Sequence, residues 1–168
     1  SYYLLELLQK RLEMVLTGEI KLSELAAQVF DKADFPVSIA GSYIPRANKD
    51  PLNSYQLEAV RLALGNPVSF IWGPPGARNT QTIASIIEGY LSENKSVLLL
   101  SHTNKATDEA LNKTIKHLGK ENNDYQDGKL IRFGEITLDE LKDKFVTPEA
   151  IAEKNGRAIR GEIRRIGE

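Results

Sequence analysis

The spacing of apolar residues changes several times along the chain, and each change marks an element. Between residues 2 and 17, Leu4, Leu5, Leu8, Leu12, Val15 and Leu16 recur at helical intervals. They predict an amphipathic helix that Gly18 ends. Leu22, Leu25, Ala26, Val29 and Phe30 predict a second, shorter helix. Across residues 34–53, Pro36, Gly41, Pro45, Asn48 and Pro51 interrupt any long element. This stretch is expected to be an ordered connector with a short strand near residues 37–39.

From Asn53 the pattern becomes regular. Asn53 is placed to cap a helix that buries Leu57, Val60 and Leu64 and stops at Gly65. Residues 68–72 form a short apolar, β-rich run between Pro67 and Gly73, the pattern of a buried strand. Residues 80–93 return to helical spacing, with Ile83, Ile86, Ile87, Tyr90 and Leu91 on one face. Residues 97–100 predict a second strand. Residues 108–118 predict a helix burying Leu111, Ile115 and Leu118, and 130–133 a third strand after the polar loop 119–128. The alternation predicts an α/β fold, a parallel sheet with helices packed on it. Thr137 and Glu140 have capping-box spacing, and Thr147 with Pro148 and Glu149 opens a last helix. Gly156 and Gly161 weaken that helix. No internal repeat is visible.

Composition narrows the class. The 168 residues suffice for one domain and part of another, and 41% hydrophobic with 27% charged residues suits a soluble globular protein. A formal net charge of −1 gives no bulk attraction to polyanions, although it leaves room for a local basic face. The absence of cysteine excludes disulfides and thiolate metal sites and fits a reducing cytosol. A cytoplasmic location is expected, or a nuclear one in a eukaryote. The apolar first residues lack a basic leader and a cleavage site, so no signal peptide is expected. No apolar run approaches the roughly 20 residues of a membrane span.

The chemistry concentrates in Gly73-Pro74-Pro75-Gly76-Ala77-Arg78-Asn79-Thr80, between a predicted strand and a predicted helix. A phosphate-binding loop needs that context, because backbone N–H groups and a helix N-terminus surround the phosphates. Gly73 and Thr80 stand at the spacing of G-x-x-x-x-G-K-[ST], but Arg78 and Asn79 occupy the Gly and Lys positions. Asn79 is uncharged and too short to reach terminal phosphates as a cation. Arg78 adds a Cβ where glycine lets backbone approach phosphate, and its guanidinium is expected to point outward. Weak or absent ATP binding follows, with hydrolysis lowered by orders of magnitude. The plainer alternative is a Gly/Pro turn between strand and helix.

Residues flanking this loop carry a family resemblance. Pro51-Leu52-Asn53-Ser54-Tyr55-Gln56 resembles the Leu-Asn-x-x-Gln adenine-recognition motif of superfamily-one helicases, in the branch of the nonsense-mediated-decay helicase. Gly73-Pro74-Pro75-Gly76 resembles that family's phosphate loop and departs from it at Ala77, Arg78 and Asn79. Residues 97–104, followed by Ala106 and Asp108, resemble the next motif, which touches the backbone of single-stranded nucleic acid. The resemblance covers residues 50–118.

It implies a partial RecA-like phosphate-loop NTPase, a three-layer fold with a parallel sheet. Residues 1–49 would be a helical N-terminal segment and connector, 50–136 the partial NTPase subdomain, and 137–168 a helical extension or the start of an inserted subdomain. Gln56 would read adenine, the backbone of Gly73, Gly76 and residues 77–80 would surround the phosphates, and Thr80 would hold Mg2+ with ATP. Ser101, His102, Thr103 and Asn104 would contact single-stranded DNA or RNA without reading its sequence. Residues 1–45 match no motif of the family and are read as a partner-docking or accessory segment.

Alternatives stay open for each site. Gln56 also fits an exposed polar helix turn, and residues 101–104 an ordinary helix cap. Trp72 fits core packing better than base stacking. His102 and His117 form no metal set. The basic residues Lys154, Arg157, Arg160, Arg164 and Arg165 fit a solvated face. The family's Asp-Glu magnesium motif and second motor domain are not found, so no catalytic residue is assigned. The expected function is a helicase fragment inactive alone, or else a nonenzymatic nucleic-acid or protein-binding module. A small phosphotransferase would need lid and acceptor residues, which are not seen.

Overall fold

The structure, a computed structural model, describes residues 2–21, Tyr43, 51–74 and 79–166, with the backbone alone for 161–166. The expected helix over residues 22–30 and the strand near 37–39 lie outside the described residues, as do Pro75, Gly76, Ala77 and Arg78.

Helix α1 (Tyr2–Leu16) forms as its periodicity predicts and closes with Gly18 at φ +79°. Its apolar face is uncovered among the described residues: Leu4, Leu5, Leu8 and Leu12 are all more than half exposed. Helix α2 (Ser54–Gly65) starts at Asn53 with a reciprocal capping box. Gln56 N donates to Asn53 Oδ1 at 2.9 Å, and Asn53 N donates to Gln56 Oε1 at 3.0 Å. Two otherwise orphaned donors are thereby satisfied. An Asn53→Ala variant is expected to lose about 1 kcal/mol of stability. A urea midpoint identical to the parent's would show that the box does not hold α2.

Helices α3 (Asn79–Ser92) and α4 (Asn104–Leu118) follow, and α3 packs between α2 and α4. Gly89 permits the close approach of α2, since a Cβ there would lie 2.5 Å from Leu64 Cδ1. Tyr90 donates its hydroxyl across the same seam to Ala63 O at 2.8 Å. The buried positions of α3 are Gln81, Thr82, Ala84, Ser85, Glu88 and Gly89. The predicted apolar face of Ile83, Ile86, Ile87, Tyr90 and Leu91 is only half buried. This corrects the periodic expectation: the flanking helices cover the small and polar face of α3.

Helix α4 begins ahead of the predicted residue 108, because Thr103 caps it, accepting from Ala106 N at 3.2 Å. It ends at Gly119, φ +87°, whose N–H donates to Ile115 O at 3.0 Å. The loop expected over 119–128 contains a short helix, α5 (Asn123–Gln126). Helix α6 (Asp139–Lys142) lacks the predicted Thr137 cap; Leu138 is its N-cap residue. Helix α7 (Pro148–Ile166) starts with Thr147 Oγ1 accepting from Ala150 N at 3.2 Å and runs through Gly156 and Gly161, the two residues expected to weaken it. The apolar core comprises Ile115, Tyr125, Leu130, Leu141 and Val146, with Leu111, Leu118, Ile136 and Leu138 against it.

The predicted parallel sheet, and with it the three-layer RecA-like α/β architecture, is overturned. No strand is present among the described residues, which fold as helices joined by segments without regular secondary structure. The stretches 68–72, 97–100 and 130–133 carry no regular secondary structure and form no ladder. Arg132 N, for instance, donates to Val146 O at 2.6 Å in the turn ahead of α7. The consequence is exposure: Phe70 and Trp72 are each 87% accessible and Leu98 81%. Trp72 is therefore not core packing. A helix closes its hydrogen bonds within its own segment, whereas a strand needs a partner from elsewhere. β-rich composition reports a fit to a pleated, half-buried surface and cannot supply that surface.

Candidate functional site

Three groups of polar residues stand out, at the start of α3, at the start of α4 and between α3 and α4. The first is the described part of the predicted phosphate loop. Gly73 and Asn79 flank the undescribed residues, and Asn79 Nδ2 donates to Gly73 O at 3.1 Å. A side chain at Gly73 would run into the Asn79 amide. The residue at the lysine position thus ties the helix start back to the entering backbone. Pro74 is exposed, and Thr80, half buried, opens a 570 Å³ cleft whose far side carries Lys113 and Lys116 of α4. Gln56 is 9% exposed with Oε1 committed to the capping box. It is not the exposed helix-turn residue of the plainer alternative, and its carbonyl already has a partner.

The second group is the turn that opens α4. Ser101, His102, Thr103 and Asn104 are all exposed. Thr103 caps the helix, and Ser101 Oγ accepts from Thr103 N at 3.5 Å. Asn104 Oδ1 accepts from Arg132 Nη2 at 3.1 Å. Arg132 is itself buried against Asp108, with Nε 2.8 Å from Asp108 Oδ1. The other carboxylate oxygen accepts from Thr137 N at 2.7 Å, Thr137 Oγ1 at 2.9 Å and Leu138 N at 3.1 Å. Arg132 also reaches the carbonyls of Phe133 and Glu135. Burial alone would push Asp108 up, but the Arg132, Thr137 and Leu138 donors outweigh it and hold the carboxyl below the usual carboxylate range. This hub fastens residues 132–138 to α4 and steadies Asn104. Sequence reasoning noticed Asp108 only as a motif end and missed Arg132. The signal present was an Asp at the second turn of a helix it was expected to help start.

The third group is buried between α3 and α4. His117 Nε2 lies 2.7 Å from Glu88 Oε2, with side chains 1% and 5% exposed. Tyr43 donates its hydroxyl to the same oxygen at 2.7 Å, and Gln81 Nε2 faces His117 Nδ1 at 3.2 Å. The His117 ring thus bridges the Gln81 amide on α3 and the Glu88 carboxyl further along the same helix, with a polar contact at each ring nitrogen. His102 stands apart on the surface turn. Among the described residues no cluster of His, Asp and Glu is placed to hold a metal ion. No described helix is long and apolar enough to cross a membrane.

Comparison with known proteins adds the context. A family described as an AAA domain matches residues 51–161. The chain is similar to Regulator of nonsense transcripts 1 of Caenorhabditis elegans, 32% identical over 96 residues, 56% of this chain and 8% of that protein. It is similar to the Regulator of nonsense transcripts 1 homolog of Neurospora crassa, 41% identical over 59 residues, 34% of this chain and 5% of that one. It is also similar to the ATP-dependent helicase upf1 of Schizosaccharomyces pombe, 34% identical over 84 residues, 48% of this chain and 9% of that protein. The chain therefore spans less than a tenth of each of these relatives. No solved structure matches it.

Proposed function

The chain belongs to the AAA-domain family, in a region like that of the superfamily-one nonsense-mediated-decay helicases, and on that premise we propose that it is part of an ATP-dependent nucleic-acid helicase or translocase whose phosphate loop no longer supports hydrolysis. The observation that carries the second half is the Asn79 amide donating to Gly73 O. The family implies ATP with Mg2+, held by loop backbone, a lysine and Thr80. The residues present fit that group poorly. A neutral amide stands in place of the cation and is turned onto the loop's own backbone, so it offers no counter-charge to a terminal phosphate. No chemical step is assigned to this chain.

Single-stranded nucleic acid is the proposed partner, bound at residues 101–104. These side chains are exposed at a helix N-terminus, where backbone N–H groups and the helix dipole favour phosphate. Contacts of that kind position a strand without reading its sequence. The uncovered apolar face of α1 supports a protein-docking role for the N-terminal segment.

The experiment is a calorimetric titration of Mg-ATP into this chain beside the double revertant Arg78→Gly with Asn79→Lys. Heat of binding is expected from the revertant and none from the chain. Equal binding by both would overturn the claim that these two positions disable the loop. Absence of binding in both favours the second reading, a nonenzymatic module, which the poor fit of Asn79 also supports. Such a module binds a strand identically with and without nucleotide.

A further inference from the structure

The exposed face of α4 carries cations that the proposed strand-binding turn does not use. Lys113 and Lys116, at i and i+3, share one face of the helix, and Lys120 follows in the turn just past its Gly119 cap. Lys116 lines both the 570 Å³ cleft that opens at Thr80 and an adjoining 420 Å³ cleft, and Glu140 stands between them in each. Lys120 and Lys144 complete the second cleft. Glu140 Oε2 already takes Lys116 Nζ at 2.6 Å and Asn112 Nδ2 at 2.9 Å, and Lys144 Nζ is drawn to Asn112 Oδ1. In the second cleft one carboxylate, Glu140, stands among three lysines, and in the first Glu109 and Glu140 stand beside Lys113 and Lys116.

We propose that these joined clefts form a phosphoryl-anion site, with Lys116, Lys120 and Lys144 as its cations. A phosphoryl group offers several acceptor oxygens and more than one negative charge, which three point-charge donors match better than a carboxylate does. The local field supports this. Burial first, then repulsion from Lys116 and Lys120, holds the Lys144 ammonium below the usual lysine range despite the opposing pull of Glu140. Across the two clefts four lysines stand against two carboxylates, Glu109 and Glu140. The source favoured is a backbone phosphate of a single strand, and that choice rests on the proposed nucleic-acid function; the phosphoryl chemistry does not. Residues 104 and 116 are about 18 Å apart along α4 at ~1.5 Å per residue, so one strand can touch the turn and the cleft together.

Lys116 and Lys120 are exposed, so a Lys116→Gln/Lys120→Gln variant removes charge without opening the core. The test has two arms on the full chain. Fluorescence anisotropy follows a labelled oligo-dT or oligo-U strand across a salt series, beside an Asn104→Ala turn variant. NMR follows the Lys144 side-chain titration with and without inorganic phosphate. The double variant is expected to flatten the dependence of log K on log salt by about one for each phosphate that it no longer neutralises. Phosphate is expected to move the Lys144 midpoint upward in the parent and not in the double variant. A Lys144 response with unchanged strand binding, or with no strand binding at all, assigns the site to a free phosphoryl anion. The second of those results would sink the nucleic-acid proposal and leave the site standing. An unmoved Lys144 together with an unchanged salt slope overturns the site, even if Asn104→Ala weakens the strand.

Discussion

Replacing Asp108 with alanine is expected to cost about 3–5 kcal/mol, because it leaves the buried Arg132 guanidinium without its counter-charge. The loss goes beyond one ion pair. Asp108 Oδ2 is also the acceptor for the Thr137 N–H and hydroxyl and the Leu138 N–H, all of which lose their partner together. An Asp108→Ala/Arg132→Met double variant should recover part of the loss, since it leaves no unpaired buried charge. Urea unfolding followed by helical circular dichroism measures both. A single-variant loss below about 1 kcal/mol, the range of an exposed ion pair, would show that the hub does not hold residues 132–138. The same carboxylate sets a pH dependence. Its folded value lies below its unfolded one, so its contribution is complete above the unfolded value of about 4 and fades as pH falls through the folded value. An Asp108→Asn variant should lose that part of the acid-induced decline.

The Glu88–His117 pair supplies the second large effect. A His117→Leu variant keeps apolar bulk between α3 and α4 but removes the ring that meets the buried Glu88 carboxyl at 2.7 Å. The expected cost is about 2–3 kcal/mol, the upper part of the range for removing one partner of a buried hydrogen bond. A Glu88→Gln variant retains an acceptor for His117 and for Tyr43 and removes the charge, so it should lose markedly less. If both variants unfold at the same urea concentration as the parent, the network is not what joins these helices. If Glu88→Gln is as damaging as His117→Leu, the carboxylate charge itself is what the site requires.

The sequence by itself determined what is local. Helix positions, the Asn53 cap with its Gln56 partner, the Thr147 and Pro148 start and the stop at Gly18 all follow from neighbouring residues closing hydrogen bonds with one another. The family was legible for a related reason, since the resemblance rests on short runs within the matched residues 51–161. Tertiary structure alone decided which helix faces are covered and what the β-rich segments do. Hydrophobic spacing placed Ile83, Ile86 and Ile87 inward on α3, yet α4 covers Gln81, Ser85 and Glu88, and Gln81 and Glu88 find their partner in His117, far along the chain. Segments 68–72, 97–100 and 130–133 have the composition of strands, but pairing is a property of two segments, and Phe70, Trp72 and Leu98 remain open to solvent. The Asp108–Arg132 hub and the joining of Lys144 to Lys116 and Lys120 likewise bring together residues more than twenty positions apart, a proximity that no local pattern encodes.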